Sequence, residues 1–187
     1  MDNNEYRDQI YQKTEEMNQI ISTYWNDYSH MGTWQFWSVV LILVLPLILL
    51  IILVDRERIF EIFFYGYTIH ILWTYAANFL EGYNFLIHNY FLTPFLPTSL
   101  NMTASALPVG FLLVYQYSTN RGKNFYLYAV IMSALFGIVF ATVSDWIGLI
   151  TFSKGMNQLY LFSIDIAIAF VAYWFTRFIK RVRENAG

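Results

Sequence analysis

Residues 36–58 read FWSVVLILVLPLILLIILVDRER. The first nineteen carry no charge and are almost all Leu, Ile and Val, and then Asp55-Arg56-Glu57-Arg58 ends the run abruptly. Nineteen helical residues at about 1.5 Å each reach about 28 Å, close to the hydrocarbon thickness of a bilayer. This stretch predicts a membrane-spanning helix over 36–54, with Pro46 near its middle as a kink point. Four weaker blocks follow the same logic, at about 59–80, 98–117, 125–147 and 159–179. The expected fold is therefore all-α: a five-span helical bundle over 34–187, preceded by an amphipathic segment over 1–33.

Composition agrees with that reading. Of the 187 residues, 57% are hydrophobic and only 13% charged, about half of what a soluble domain of this size needs to cover its surface. A net charge of −2 gives no footprint for nucleic acid. Cys is absent, which excludes disulfides, thiolate catalysis and iron–sulfur clusters. The first thirty residues are polar and acidic, without the short apolar core of a signal peptide. The block at 36–54 is expected to serve as both targeting signal and anchor.

Basic residues set the orientation. Arg56 and Arg58 follow the first block, Arg121 and Lys123 follow the third, and Arg177, Lys180, Arg181 and Arg183 close the fifth. Only Arg7, Lys13 and Lys154 fall on the other side. The positive-inside rule places the larger group in the cytoplasm, giving an N-out, C-in protein of a cell membrane.

Two outer segments stand apart. Ile10, Thr14, Met17, Ile21, Tyr24 and Tyr28 recur at steps of four and three, the stripe of an amphipathic helix. Such a helix would lie on the membrane, against the bundle, or against a partner. Residues 82–97 are rich in Phe, Tyr and Leu and are too short for a span with its turns. An interfacial helix or re-entrant cap ended by Pro94 and Pro97 is expected there.

The last four blocks carry polar and small residues at helical spacing. These are His70, Thr74, Ala77, Asn78 and Glu81 on the second, and Asn101, Ser105 and Pro108 on the third. The fourth has Ala134, Gly137, Ala141, Asp145 and Gly148, with Ser144 beside them. The fifth has Gln158, Asp165, Ala169, Ala172 and Thr176. Small residues let helices approach closely, and ionisable groups avoid lipid, so these faces are expected to turn inward. Glu81, Asn101, Asp145 and Asp165 would then lie in the outer third, with His70 about 15 Å below the outer end of its helix. The candidate ligand-binding residues are thus His70, Asn78, Glu81, Asn101, Ser105, Asp145 and Asp165, forming a polar pocket open to the outside. The competing reading is structural: the same residues bond neighbouring helices or reach water at helix ends.

The inventory argues against several chemistries. A bis-histidine haem needs two facing His, and only His70 is inside a predicted span. A retinal Schiff base needs a buried Lys, whereas Lys180 sits at a helix end. No H-E-x-x-H, P-loop or G-x-S-x-G occurs. No cofactor, metal or catalytic residue is predicted, and a quinone or lipid remains compatible with the many aromatics.

From the second block onward, about two-thirds of the chain resembles a group of small five-span membrane proteins found in spore-forming Gram-positive bacteria. Pro108, Tyr115-Gln116-Tyr117 with Arg121 and Lys123, Phe125-Tyr126-Leu127-Tyr128, and Asp145 followed by Gly148 carry the resemblance. In that group the late acid of the fourth span is usually Glu, and the polar N-terminal extension is shorter. The resemblance implies the five-span topology, singles out Asp145, and brings no activity with it.

Three functions are compatible with these residues. One is a non-enzymatic subunit or accessory factor of a larger membrane assembly, with a membrane protein or a second copy as partner. Another is a protein that binds or transports a small ligand or cation through the outward pocket. The third is an enzyme acting on lipid or quinone, for which no motif speaks. Whether the space near Asp145, Asp165 and His70 is packed or open separates the first two.

Overall fold

A computed structural model describes residues 2–185, and the chain is helical over most of that length. Helix α1 (Asn3–Tyr24) starts at a capping box, in which the Asp2 side chain and Glu5 satisfy each other's backbone amides. It widens into a π-type turn at Trp25–Ser29. Thr33 then caps α2 (Trp34–Leu53), whose side-chain oxygen accepts from the Phe36 amide. Next come α3 (Ile59–Gly82), the short strand β1 (Leu86–His88) and α4 (Leu107–Asn120). They are followed by α5 (Phe125–Trp146), β2 (Ile150–Phe152) and α6 (Gln158–Glu184). Among the described residues, three helices are long and apolar enough to cross a membrane: α2, α5 and α6.

Helices α3 to α6 form the buried bundle. Its core is Ile62, Tyr65, Ile69 and Trp73 of α3, Phe111, Leu112 and Tyr115 of α4, Ala129 of α5, and Ala169 and Ala172 of α6. Small residues let the helices come close. A Cβ on Gly66 would stand 2.7 Å from Leu112 Cδ1, and one on Gly137 would stand 2.5 Å from the Phe162 backbone nitrogen. At one end of the bundle, rings replace small residues. Tyr65 and Tyr115 stack with centroids 4.5 Å apart, and Phe125 and Tyr173 at 4.2 Å.

That end is tied by a half-buried carboxylate. Glu61 accepts from Tyr115 Oη (2.5 Å), Arg58 Nη2 (2.6 Å) and Lys180 Nζ (2.9 Å), joining α3, α4 and α6. The Tyr115-Gln116-Tyr117 turn has a specific task here. Gln116 Nε2 donates to the Leu53 carbonyl, and Gln116 Oε1 accepts from the Asp55 amide, so one side chain closes the C-terminus of α2.

Helix α2 is exposed on most faces and buries only Phe36, Val39 and Leu50. It packs against α4 and the π-type turn Met102–Ala106 that leads into it. Near Pro46, which interrupts the α2 ladder, Ser105 Oγ donates to the Leu43 carbonyl at 2.5 Å.

Three expectations need correction. The fold is not purely α, because β1 and β2 pair antiparallel with Leu86 opposite Phe152 and His88 opposite Ile150. The 82–97 connection is accordingly no interfacial helix. Phe85 and Ser153 (3.0 Å) and Asn89 and Leu149 (3.0 Å) extend the pairing on either side, so two loops satisfy each other's backbone groups across the bundle end. Helix α1 also does not lie along the bundle. It buries no residue, and it is attached where Tyr24 Oη reaches the Asn89 carbonyl and where Trp25 Nε1 and Ser29 Oγ reach the Phe91 carbonyl.

Candidate functional site

Where α3, α4, α5 and α6 meet beneath the β1–β2 ribbon, they leave a cavity instead of a packed core. It offers about 60 Å³ to the centre of a water molecule, and a single water needs roughly 15 Å³ of such space. Leu86, His88 and Ile150 of the ribbon lie on one side of it. Phe136, Phe140 and Leu161 supply apolar and aromatic walls, and Asp165 is the one acidic group.

Asp165 is 1% exposed. Among the described residues, a single hydrogen bond reaches its carboxylate, from Trp73 Nε1 at 3.0 Å. A carboxyl group offers several acceptor positions, so one indole N–H leaves most of them unused. The helix geometry explains why Asp165 faces this space. Gly137, in the π-type turn Leu135–Phe140 of α5, lets α5 sit directly on the Leu161–Phe162 backbone, one turn before Asp165. Gly137 and Leu161 both line the cavity.

Glu81 shapes the rim. Its Oε1 accepts from Ser99 Oγ at 2.6 Å and from the Ser99 amide at 3.3 Å, pinning the approach to α4 against the end of α3. His88 Nδ1 stands 3.1 Å from the same oxygen without the alignment of a hydrogen bond. Burial works against the Glu81 charge, but the His88 ring and the Ser99 donors outweigh it and hold the carboxyl below its usual range. Glu81 Oε2 and His88 Nδ1 are buried and lack a hydrogen-bond partner among the described residues. Ser99 and His88 both border the cavity.

Comparison of the chain with protein-family models, curated proteins and solved structures finds no match. The site therefore stands on its own geometry.

Seven residues were candidates for an outward pocket, and the structure separates them. Asp165 lines the cavity, and Glu81 braces its rim through Ser99 and His88. His70 lies one layer behind: its Nδ1 is 2.7 Å from the Thr103 carbonyl, and Thr103 lines the cavity. A carbonyl can only accept, so that nitrogen carries the proton. The reason lies in the backbone. The Leu107 amide bonds the Met102 carbonyl five residues back, so the next donor in this register belongs to residue 108, a proline without N–H. His70 fills the vacancy at Thr103.

The other four do not join the cavity. Ser105 turns to α2, as described above. Asn101 is buried at 9% exposure but is not on the cavity wall. Asn78 and Asp145 are exposed. A 100° step places Asn78 beside Ala77, yet the α3 surface that packs runs through Trp73, Ala77 and Leu80, which leaves Asn78 outside. Asp145 lies in the last turn of α5, where Ser144, its neighbour, takes the inward position.

Sequence reasoning missed Trp73, His88 and Ser99. Trp73 follows His70 by three residues and precedes Ala77 by four, so its place on the inner face was available from helical spacing. His88 and Ser99 sit in irregular chain, where no period announces them.

Proposed function

We propose that this chain is a five-span, multi-pass membrane protein, N-out and C-in, that binds a small organic cation in the cavity, with Asp165 as its counter-charge. One observation carries the reading: a fully buried carboxylate with one hydrogen-bond donor stands beside open space. A buried charge of this kind is costly unless paired, and aromatic faces such as Phe136 and Phe140 suit an alkylammonium group. A strongly hydrated metal ion would find few oxygens here, and among the described residues no cluster of three or more His, Asp or Glu could hold one.

The span count and orientation rest on two supports beyond the three long apolar helices. Helix α3 has 24 residues, and α4 with its leading turn extends from Met102 to Asn120, both packed within the same bundle. Arg58 and Lys180 meet on Glu61, and Arg58 also bonds Thr119 at the end of α4, so basic residues from two separate segments gather at the end where α4 finishes. Lys154 bonds the Tyr83 carbonyl at the opposite, ribbon end. The likeness to the small five-span proteins of spore-forming bacteria fits this topology.

The test is binding of tetramethylammonium and ethylammonium to the purified full-length chain in lipid nanodiscs. Wild type is expected to bind at least one of them saturably, and Asp165→Asn is expected to lose the signal while melting like wild type. Equal binding by both proteins, or none by wild type across the alkylammonium series, removes the reading.

A second reading has its own observation. Helix α1 exposes Ile10, Met17 and Tyr24 and buries nothing, although most helices in proteins owe their stability to packing of an apolar face. This supports an accessory subunit whose α1 docks on a membrane partner or a second copy. Crosslinking in intact membranes tests it, since a monomer with no crosslinked product, unchanged by Met17→Lys, would exclude the role.

A further inference from the structure

At the basic end of the bundle, α5 begins where α6 finishes, and a groove of about 290 Å³ runs between them. Its lining is Tyr126, Tyr173, Trp174, Arg177, Phe178 and Arg181. Arg177 and Arg181 are one helical turn apart on a single face of α6, so their guanidinium groups converge on the groove. Among the described residues neither arginine has a carboxylate within ion-pair distance, whereas Arg58 and Lys180 on the same end share the Glu61 carboxylate. Arg177 sits 6.0 Å from the Tyr173 ring centre, and Trp174 Nε1 donates to Tyr126 Oη at 3.0 Å, so aromatic side chains hold the floor in place. Trp174 and Phe178 remain 55% and 59% exposed, and the apolar surface continues along Leu127, Ile131 and Val171 toward the middle of the bundle.

We infer that this groove is a binding site for an anionic glycerophospholipid of the inner leaflet. The two arginines grip its phosphate in bidentate fashion, the aromatic side chains sit at the level of its glycerol, and its acyl chains follow Leu127, Ile131 and Val171. Charge complementarity selects this occupant: the groove is lined by two uncompensated cations and no acid, and it opens onto a surface that only hydrocarbon would cover. The site depends on the five-span, C-in reading and is independent of the Asp165 cavity.

The experiment uses the full chain in nanodiscs made from equal parts of phosphatidylglycerol and phosphatidylcholine. Lipid that stays with the protein after extraction into mild detergent is quantified by mass spectrometry. Wild type is expected to enrich phosphatidylglycerol about tenfold. The double variant R177Q/R181Q should fall to no enrichment, and R177K/R181K should keep part of it. Two controls should match wild type: R121Q/K123Q, which removes equal charge from the neighbouring turn, and Asp165→Asn. Millimolar inorganic phosphate should not displace the lipid. The inference is overturned if wild type shows no preference, if R177Q/R181Q retains it, if R121Q/K123Q loses it equally, or if free phosphate competes it away.

Discussion

Replacing Gly137 with alanine tests the packing on which the cavity depends. A Cβ at this position would lie 2.5 Å from the Phe162 nitrogen, 2.6 Å from Phe162 Cα and 3.0 Å from the Leu161 carbonyl carbon. All three are backbone atoms, so no side-chain rotation relieves the clash. Restoring ordinary contact requires α5 and α6 to move apart by about 1 Å. Overpacking of this sort costs about 1–3 kcal/mol. Alanine is also a better helix former than glycine by roughly 0.5–1 kcal/mol. The clash wins, and Gly137→Ala should be destabilised by about 1–2 kcal/mol. Two other glycines calibrate the scale. A Cβ on Gly66 would meet the terminal Leu112 Cδ1 at 2.7 Å, a methyl that can turn aside, so Gly66→Ala should cost less. Nothing lies within 4 Å of a Cβ on Gly82, whose backbone is not left-handed, so Gly82→Ala should be neutral or slightly stabilising. Unfolding in mild detergent, followed by circular dichroism, reads the order directly. Alkylammonium affinity should fall in Gly137→Ala as well, because Gly137 and Leu161 line the cavity. If Gly137→Ala is as stable as Gly82→Ala, the close contact between α5 and α6 is wrong, and the cavity built on it is wrong too.

Other outcomes follow from single contacts. His70→Phe leaves the Thr103 carbonyl without its donor and should cost about 1–3 kcal/mol; adding Pro108→Ala restores an amide, so the double variant should lose less than His70→Phe alone, and strictly additive losses would refute the exchange. The Glu81 carboxyl is held below its ordinary value of 4.5 in the fold, so its contribution to stability is full above about pH 4.5 and is lost as pH falls through the lower folded value. Wild type should therefore lose melting temperature more steeply than Glu81→Gln below pH 4.5, and parallel curves would contradict this. Glu61→Gln leaves Arg58 and Lys180 facing a neutral amide, and since these groups are partly exposed the loss should be about 1–2 kcal/mol. Asp165→Asn should melt within about 0.5 kcal/mol of wild type in the absence of ligand, because it removes a charge the chain hardly satisfies; a loss as large as that of Glu61→Gln would mark Asp165 as structural.

What the sequence announces is what period and charge encode. The run at 36–54 became α2, and the other four blocks fall on helices, with the largest departures at α4, whose α-helical part starts at Leu107 after a π-type turn, and at α6, which runs on to Glu184. Asp165 was legible because an acid flanked by Ala169 and Ala172 at helical steps has to face protein. Asp145 was misread for a related reason. Helical phase places it near the inner face, but a residue in the last turn is free to point at water, and Ser144 takes the inward place. The ribbon was illegible because its two strands are three residues each and pair across a long separation in sequence. Nothing local distinguishes Leu86–His88 from a turn until Ile150–Phe152 arrives beside it. The Thr103–His70 contact could have been read only by knowing that the turn before α4 widens to a five-residue register, which makes the missing amide of Pro108 matter.

One half-buried and one fully buried carboxylate in the same bundle are handled in opposite ways, and this contrast decides which of them is the candidate for a site. Glu61 receives a phenol, a guanidinium and an ammonium from three different segments, so the chain itself satisfies its charge. An open groove between α3 and α6 also borders Glu61, but its charge is already paired there by Lys180 and Arg58. Asp165 is more deeply buried, receives one indole N–H, and borders a cavity larger than a single water requires. A carboxylate kept only for packing would be replaced at little cost by an apolar side chain of similar volume, since burying an undersatisfied charge opposes folding. Glu61 therefore reads as a tie between helices, and Asp165 as the carboxyl the chain leaves least satisfied, which is the observation on which the proposed cation site rests.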